Sequence, residues 1–293
     1  MQQPLIIGIG EVLWDLLPSG KQLGGAPANF AYHAQVLGAR SLLISAIGDD
    51  DLGREVLHTL ALKKLDTRFL QVGPKRQTGT VSIEVDPAGL PKYIIHEDVA
   101  WDYISWDEEL TELAATADAV CFGSLAQRSF ISRSTIQAFL QHMRPASLRV
   151  FDLNLRQAYY TADIVTRSLE LATVLKLNDE EWPTLAKMLG LPAEIPEGPR
   201  ELMARFELDL IALTRGASGS MLVTATELHE QPAPTIEVKD TVGAGDAFTA
   251  AITVGVLRGL PLAAVHATAS RLAGYVCQRN GAMPQIPGEF RYP

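Results

Sequence analysis

The sequence predicts an α/β protein: a doubly wound, mostly parallel sheet flanked by helices, with a small β-hairpin lid. Three observations predict it. Short continuous apolar runs, among them Leu5-Ile-Ile-Gly-Ile9, Ser41 to Ile47 and Leu148 to Asp152, have the composition of strands buried on both faces. Helical stretches separate these runs, and strands alternating with helices imply parallel crossover connections. Between Thr78 and Asp98 the pattern changes to alternation, as expected of a hairpin with one exposed face.

The first strand ends at Gly10. Gly8 and Gly10 suggest a dinucleotide-binding turn, but the third glycine of that fingerprint would fall at Leu13, so the reading fails. Glu11 and Asp15 follow at the carboxyl edge, where open α/β sheets bind ligands; each is either a ligand group or a solvated loop acid. Gly24-Gly25-Ala26-Pro27-Ala28-Asn29 opens a helix that runs to about Leu37 and stops at Gly38. Pro27 suits a first helical turn, the paired glycines permit close approach of a ligand or a plain turn, and an amide inside a helix, Asn29, is unfavourable unless used. Ser41 to Ile47 is the second strand. The acids of Gly48-Asp-Asp-Asp51 read as caps of a helix from Leu52 to about Leu65 rather than as a metal site.

In the hairpin, Val81, Ile83 and Val85 alternate with polar residues, Pro87 to Pro91 turns the chain, and Tyr93-Ile-Ile95 returns it. Inside an α/β chain such a hairpin is a lid over the site or a dimer contact. His96-Glu97-Asp98 is a poor metal centre, because adjacent strand residues point to opposite faces. The α/β rhythm then resumes with strands at Asp118–Gly123, Leu148–Asp152 and Thr173–Leu177, separated by helices near 132–143 and 161–171. Asp152, Asn154 and Arg156 leave one strand and Asn178 and Glu181 the next, so polar exits accumulate on one sheet edge. Asp209 to Thr214 is a further strand. It leads into Thr214-Arg-Gly-Ala-Ser-Gly219, either a plain connection or a turn offering N–H groups and a hydroxyl to phosphate. Residues 219–238 alternate as short strands, and helices near 247–257 and 262–279 end at Gly281.

Asp240-Thr-Val-Gly-Ala-Gly-Asp246 precedes the first of these helices. Small residues let a ligand approach the free N–H groups of a helix start, and the helix dipole favours an anion there. An acid at such a place makes sense if Asp246 takes a proton from a nucleophile attacking a phosphoryl group held beside it. Bulk properties agree with an enzyme of this kind. The 293 residues carry 47% hydrophobic and 20% charged side chains, enough for a large core. A net charge of −9 argues against nucleic-acid and anionic-membrane partners. The two cysteines, Cys121 and Cys277, lie in apolar segments and read as buried thiols. The N-terminus lacks the basic region of a signal peptide and no apolar run approaches the ~18 residues of a membrane span, so the expected location is cytoplasmic.

Two long patterns carry a family resemblance. Gly24-Gly25-x-Pro27-x-Asn29-x-Ala31, with Gly38 and Gly48 after it, and Asp240-Thr-Val-Gly-Ala-Gly-Asp246, with Ala250 and Ala251 after it, resemble the N- and C-terminal signatures of the PfkB (ribokinase-like) carbohydrate kinases. Asp152-x-Asn154-x-Arg156, Asn178-x-x-Glu181, Thr214-x-Gly216-x-x-Gly219 and Gly281-Ala282 extend the likeness over nearly the whole chain. Gly10-Glu11-Val-Leu-Trp-Asp15 and the segment from His96 to Asp102 are most similar to the fructokinase branch.

The resemblance implies a single ribokinase-like kinase domain over residues 1–293, with the β lid inserted at about 78–98. It implies ATP-dependent transfer of the γ-phosphoryl to a primary hydroxyl of a sugar, with fructose as the expected acceptor. Ribose, 2-keto-3-deoxygluconate and nucleosides are the other acceptors of such kinases, and a sensor that has lost turnover is the reading from another class. Asp246 is then the catalytic base and the N–H groups of Gly243, Ala244 and Gly245 the anion hole. Asp15, Gly25 and Asn29 bind sugar hydroxyls, Arg156 offsets phosphate charge, and Thr214, Gly216 and Gly219 line the nucleotide. Asn178 and Glu181 hold Mg²⁺ through water, and Asp240 fits the K⁺ site that many members use. The chain departs from the family near Ser270, where many relatives carry an asparagine by the adenine. Lid hairpins in this family often pair between subunits, so a homodimer through the lid is an expectation too.

Overall fold

The computed structural model describes residues 3–18, 20–85 and 91–292, and the Pro87 to Leu90 part of the expected turn lies outside them. The chain folds around a nine-stranded sheet. Its strands are β1 (Leu5–Ile9), β4 (Arg40–Gly48), β5 (Leu70–Gly73), β8 (Ala119–Gly123), β9 (Leu148–Asp152), β10 (Val174–Asn178), β11 (Leu210–Thr214), β12 (Ser220–Val223) and β13 (Leu228–Gln231). Their spatial order is β13-β12-β11-β10-β9-β8-β1-β4-β5. All pairs from β5 to β11 are parallel, and the β11–β12 and β12–β13 pairs are antiparallel. The expected doubly wound sheet is present. Because β1, β8, β9, β10 and β11 are parallel neighbours, the residues that leave them, Glu11, Ser124, Asp152, Asn178 and Thr214, share one edge.

Helices cover both faces. On one lie α1 (Ala26–Val36), α8 (Ala244–Leu257) and α9 (Leu262–Cys277), packed through Phe30, Leu37, Phe248, Ile252 and Leu272. On the other lie α3 (Glu108–Thr116), α4 (Phe130–His142), α5 (Ala162–Leu171), α6 (Trp182–Leu189) and α7 (Glu197–Phe206), around Phe122, Phe139, Phe151 and Trp182. Helix α8 is buried along Ala247 to Gly255, as its apolar sequence requires, so its start is fixed in the core rather than on the surface. Asp50 caps α2 (Asp51–Leu62) by accepting from the Gly53 N–H at 2.7 Å, which is the use expected of that acidic turn.

The lid is larger than a hairpin. Strands β6 (Gly79–Val85) and β7 (Pro91–Ile95) form the expected pair, but they belong to a four-stranded sheet ordered β3-β2-β6-β7, with β2 (Leu13–Leu17) and β3 (Gly20–Gly24) added from the N-terminal segment. The segment from Leu13 to Gly24 lacks clean alternation, because Asp15 and Gln22 stand opposite one another on the face shared with Val81 and Ile95. Strand β5 and helices α3, α6 and α7 also lie outside the predicted set. These last helices have only one narrow apolar face each, which a reading by continuous apolar runs passes over.

Candidate active site

The site lies between the carboxyl edge of the large sheet and the small one. Helix α1 starts at Gly25, whose φ of +108° and lack of Cβ are both required: a Cβ there would stand 2.4 Å from the Glu11 carbonyl oxygen. This close stacking brings the exit of β1 under the start of α1. One turn into α1, the amide of Asn29 donates to Asp246 Oδ2 at 2.7 Å, with Asn29 only 3% exposed. The amide that looked out of place inside a helix therefore meets the expected base from the far end of the chain.

Helix α8 starts in the same way. Gly243 occupies the left-handed region at φ +78°, and a Cβ on it would lie 2.6 Å from Ala282. No side chain caps the helix. The Ala244 N–H makes a long turn bond of 3.3 Å to the Thr241 carbonyl, whereas the N–H groups of Gly245 and Asp246 lie in the first turn, where the helix itself offers no acceptor. Beneath this turn lies Lys176, a residue the sequence reading passed over as part of an apolar strand. Its Nζ would be 3.0 Å from a Cβ on Gly245, and it pairs with Asp152 Oδ1 at 3.1 Å. Thr249 donates to Asp152 Oδ2 at 3.1 Å, so the buried carboxylate is held by two partners. A lysine two residues before the polar exit of a buried strand, Asn178, was the signal available.

These groups set the charges. Burial, reinforced by the nearby Asp152 carboxylate, raises the pKa of Asp246 to about 6, while the Asn29 hydrogen bond, Lys176 and Arg156 oppose the rise. Burial would lower the Lys176 pKa, but the carboxylates of Asp152, Glu181 and Asp246 outweigh it and hold the ammonium charged. Glu11 is 2% exposed and its pKa is raised to about 7, chiefly by burial and further by Asp246, although the N–H groups of Glu11 and Ala26 stabilise its anion. Asp15, half-buried on β2, is raised to about 6 by burial, against the pull of Arg156. Arg156 itself is exposed on the loop after β9, and its charge acts on Glu11, Asp15 and Asp246 alike. The structure thus brings Asp15, Asn29 and Arg156 within electrostatic or hydrogen-bonding reach of one another or of Asp246.

The remaining predicted residues lie farther along the same edge. Asn178 and Thr214 are register partners at the ends of β10 and β11, and the Asp179 N–H donates to the Thr214 carbonyl at 2.9 Å. Asn178 Oδ1 accepts from the Glu181 N–H at 2.8 Å, while the two carboxylate oxygens of Glu181 accept from the N–H groups of Leu155 and Asn178 at 2.8 and 2.9 Å. In the turn after β11, a Cβ on Gly216 would meet open space, whereas one on Gly219 would stand 2.1 Å from the Gln231 carbonyl. Gly216 thus leaves room, and Gly219 is demanded by the neighbouring strand. Asp240 spends one oxygen on the Val242 N–H and the other on the Gly281 N–H, at 3.0 and 2.9 Å. Beside this turn a cavity of about 450 Å³ opens between residues 231–236 and α9, lined by Ile236, Ala267, Ser270 and Gly274. Among the described residues no cluster of three or more His, Cys, Asp or Glu side chains could hold a metal, and no helix is long and apolar enough to cross a membrane.

Comparison with known proteins gives a consistent result. Residues 19–288 match the family described as pfkB family carbohydrate kinase. A fructokinase of Klebsiella pneumoniae is 33% identical over 95% of this chain and 95% of its own length. The crystal structure of an uncharacterized sugar kinase from Pyrococcus horikoshii in complex with ATP superposes with a TM-score of 0.81 at 30% identity, covering 95% of this chain and 94% of that one. A fructokinase from Vibrio cholerae O395 with bound fructose, ADP and calcium superposes with a TM-score of 0.80 at 25% identity, covering 96% and 95% of the two chains.

Proposed function

From the premise that the chain belongs to the PfkB family of carbohydrate kinases and is an ATP-dependent sugar kinase, we propose that its acceptor is fructose, phosphorylated at a primary hydroxyl with Asp246 as the base. The observation that carries this reading is the 2.7 Å hydrogen bond between Asn29 and Asp246, which joins the helix assigned to the sugar with the helix assigned to the phosphate. The similarity to fructokinases over nearly the full length supports the choice of sugar.

In this reading Asp15, Gly25 and Asn29 orient the sugar and Asp246 accepts the proton of its attacking hydroxyl. Asn29 fixes the carboxylate that does so, leaving its second oxygen for the hydroxyl. A positioned base of this kind contributes roughly 10² to 10⁴ in rate. The N–H groups of Gly243, at the helix N-cap, and of Ala244 and Gly245, in the first turn, face the charge that develops on the transferred phosphoryl, that of Ala244 giving up its long bond to the Thr241 carbonyl, and Lys176 adds a fixed positive charge behind them. Arg156 is exposed and so placed to meet phosphate oxygens. Thr214, Gly216 and Gly219 border the nucleotide, and the cavity at Ser270 accommodates its base. Here a serine replaces the amide found in many relatives.

Mg²⁺ supplies charge neutralisation on the nucleotide phosphates when bound. Asn178 and Glu181 fit an ion held through its own water, since both Glu181 oxygens are already engaged by backbone N–H groups. Asp240 fits a K⁺ site as the organiser of the two loops it ties together. The whole chain is read as one kinase domain acting in the cytoplasm, with the four-stranded sheet as its lid. The exposed Tyr93 and Leu16 on that sheet support a homodimer through the lid, which sedimentation of the intact protein tests. The experiment for the function is ADP release over a panel of fructose, ribose, 2-keto-3-deoxygluconate and nucleosides with Mg²⁺ and with or without K⁺. Fructose should give the largest kcat/KM. Faster turnover of another acceptor replaces fructose in this reading, and ligand binding without sugar-dependent ADP release would turn it into a sensor.

A further inference from the structure

The segment after α9 is held by an unusual set of contacts. Four successive carbonyls, those of Ala282, Met283, Pro284 and Gln285, each meet a polar side chain: His33 Nε2 at 2.9 Å, Lys63 Nζ at 2.7 Å, the Tyr32 hydroxyl at 2.7 Å and the Tyr275 hydroxyl at 3.1 Å. Three of these donors come from α1 and the end of α2, the opposite end of the chain. The segment is therefore a strap pinned across the second half of α1 and the end of α2. Its leading residue bears on the phosphate loop, because Ala282 lies 2.6 Å from where a Cβ of Gly243 would be and the Gly281 N–H donates to Asp240.

His33 is the link with the greatest reach. It follows Asn29 by one helical turn, so the two share a face of α1. It is 0% exposed, and its Nδ1 is buried with no partner. Because the Ala282 carbonyl can only accept, Nε2 carries the proton and the ring is neutral. Burial holds its pKa down at about 4, so this state persists through the working pH range. A buried ring nitrogen without a partner costs stability, and an apolar side chain would fill the same space without that cost. What the histidine supplies that an apolar side chain would not is its one bond to the Ala282 carbonyl.

We propose that His33 is a positioning residue for phosphoryl transfer. Its hydrogen bond to the Ala282 carbonyl seats the strap against Gly243 and so sets the phosphate loop relative to the helix that carries Asn29. Helix α1 then reaches the start of α8 twice: directly, from Asn29 to Asp246, and indirectly, from His33 through Ala282 to Gly243. The first contact places the base and the second places the N–H groups. This rests on the reading of residues 243–246 as the phosphoryl-transfer site.

The test is steady-state kinetics of the intact protein, with ATP and the sugar it turns over best, for His33→Leu, His33→Gln, Ala282→Gly and the Leu/Gly double variant. His33→Leu should lower kcat about ten- to hundredfold, the range for a small misplacement of reacting groups, with the sugar KM within about threefold of wild type. His33→Gln, whose amide can donate to the same carbonyl, should recover most of the loss. Ala282→Gly should lower kcat at unchanged melting temperature, and adding His33→Leu to it should cost far less than in the wild type, because both act along one path. Equal losses in His33→Leu and His33→Gln, multiplicative losses in the double variant, or a loss confined to KM would overturn the proposal. Should His33→Leu fail to fold, a wild-type rate in Ala282→Gly would overturn it by itself. An Asp246→Asn enzyme that keeps its turnover would instead remove the phosphoryl-transfer site from α8. An inactive Asp246→Asn enzyme beside a fully active His33→Leu enzyme would remove only the positioning role.

Discussion

Helices α1 and α8 begin alike and are used differently. Each starts at a glycine with positive φ that a side chain could replace only under strain, Gly25 packed on the Glu11 backbone and Gly243 on Ala282. Neither has a side-chain cap of the usual kind, and each has a carboxyl group with a raised pKa close by. At α1 the acid is the chain's own Glu11, fully buried and bonded to the Ala26 N–H, so the positive end of the helix is filled from within. At α8 the carboxylate of Asp246 turns instead to Asn29, and the first-turn N–H groups remain for a ligand. The comparison teaches that a helix start keeps N–H groups open to a ligand when the protein withholds its own anion from it.

The prediction with the largest effect breaks the ligand end alone. Asp246→Asn should lower kcat by roughly 10² to 10⁴ with little change in sugar KM, as measured by coupled ADP assay. Lys176→Met comes next, since it leaves Asp152 buried beneath the same helix start with its cation gone. It should destabilise the protein by about 3–5 kcal/mol in urea denaturation. The glycines compare the two ends most directly. Gly25→Ala and Gly243→Ala should each cost about 1–3 kcal/mol of stability through strain, while only Gly243→Ala should also reduce kcat in the fraction that stays folded.

The smallest effect is a difference in pH dependence. Glu11 and Asp246 both have raised pKa values in the folded protein, at about 7 and about 6, so the folded state binds more protons than the unfolded chain at mildly acidic pH. Stability is therefore greatest at the acid end of this window and falls as pH rises through it. Over the same window kcat/KM should rise, with an acid limb near pH 6, as Asp246 loses its proton. Glu11→Gln should remove on the order of 2 kcal/mol of the stability loss between about pH 5 and 8, measured by urea denaturation at each pH. It should leave the acid limb in place, because Glu11 is still protonated when Asp246 ionises.

Much of this arrangement was legible in the residues. The buried strands announced themselves as apolar runs, and the polar groups following Leu148–Asp152 and Thr173–Leu177 marked one edge of the sheet, because parallel neighbours must deliver their exits to the same side. Asn29 stood out as an amide without a local use, and the 243–246 turn as an anion site with an acid in it. The two N-terminal strands of the lid did not show, since residues 13–24 place Asp15 and Gln22 on the inward face and so interrupt the alternation. Lys176 and His33 were hidden for a related reason: each is a polar residue inside a segment whose apolar neighbours dominate the pattern.

The sequence by itself determined the doubly wound sheet and the edge at which its polar exits gather, because these follow from local periodicity and from groups near one another in the chain. Tertiary structure decided which distant groups meet. The contacts of Asn29 with Asp246, Lys176 with the turn above it, and His33 with Ala282 join segments far apart in sequence. No local propensity encodes such pairs. The first of them exists because α1 packs against α8 over a shared core of Phe30, Ala34, Phe248 and Ile252, which holds the Asn29 amide beside the Asp246 carboxylate.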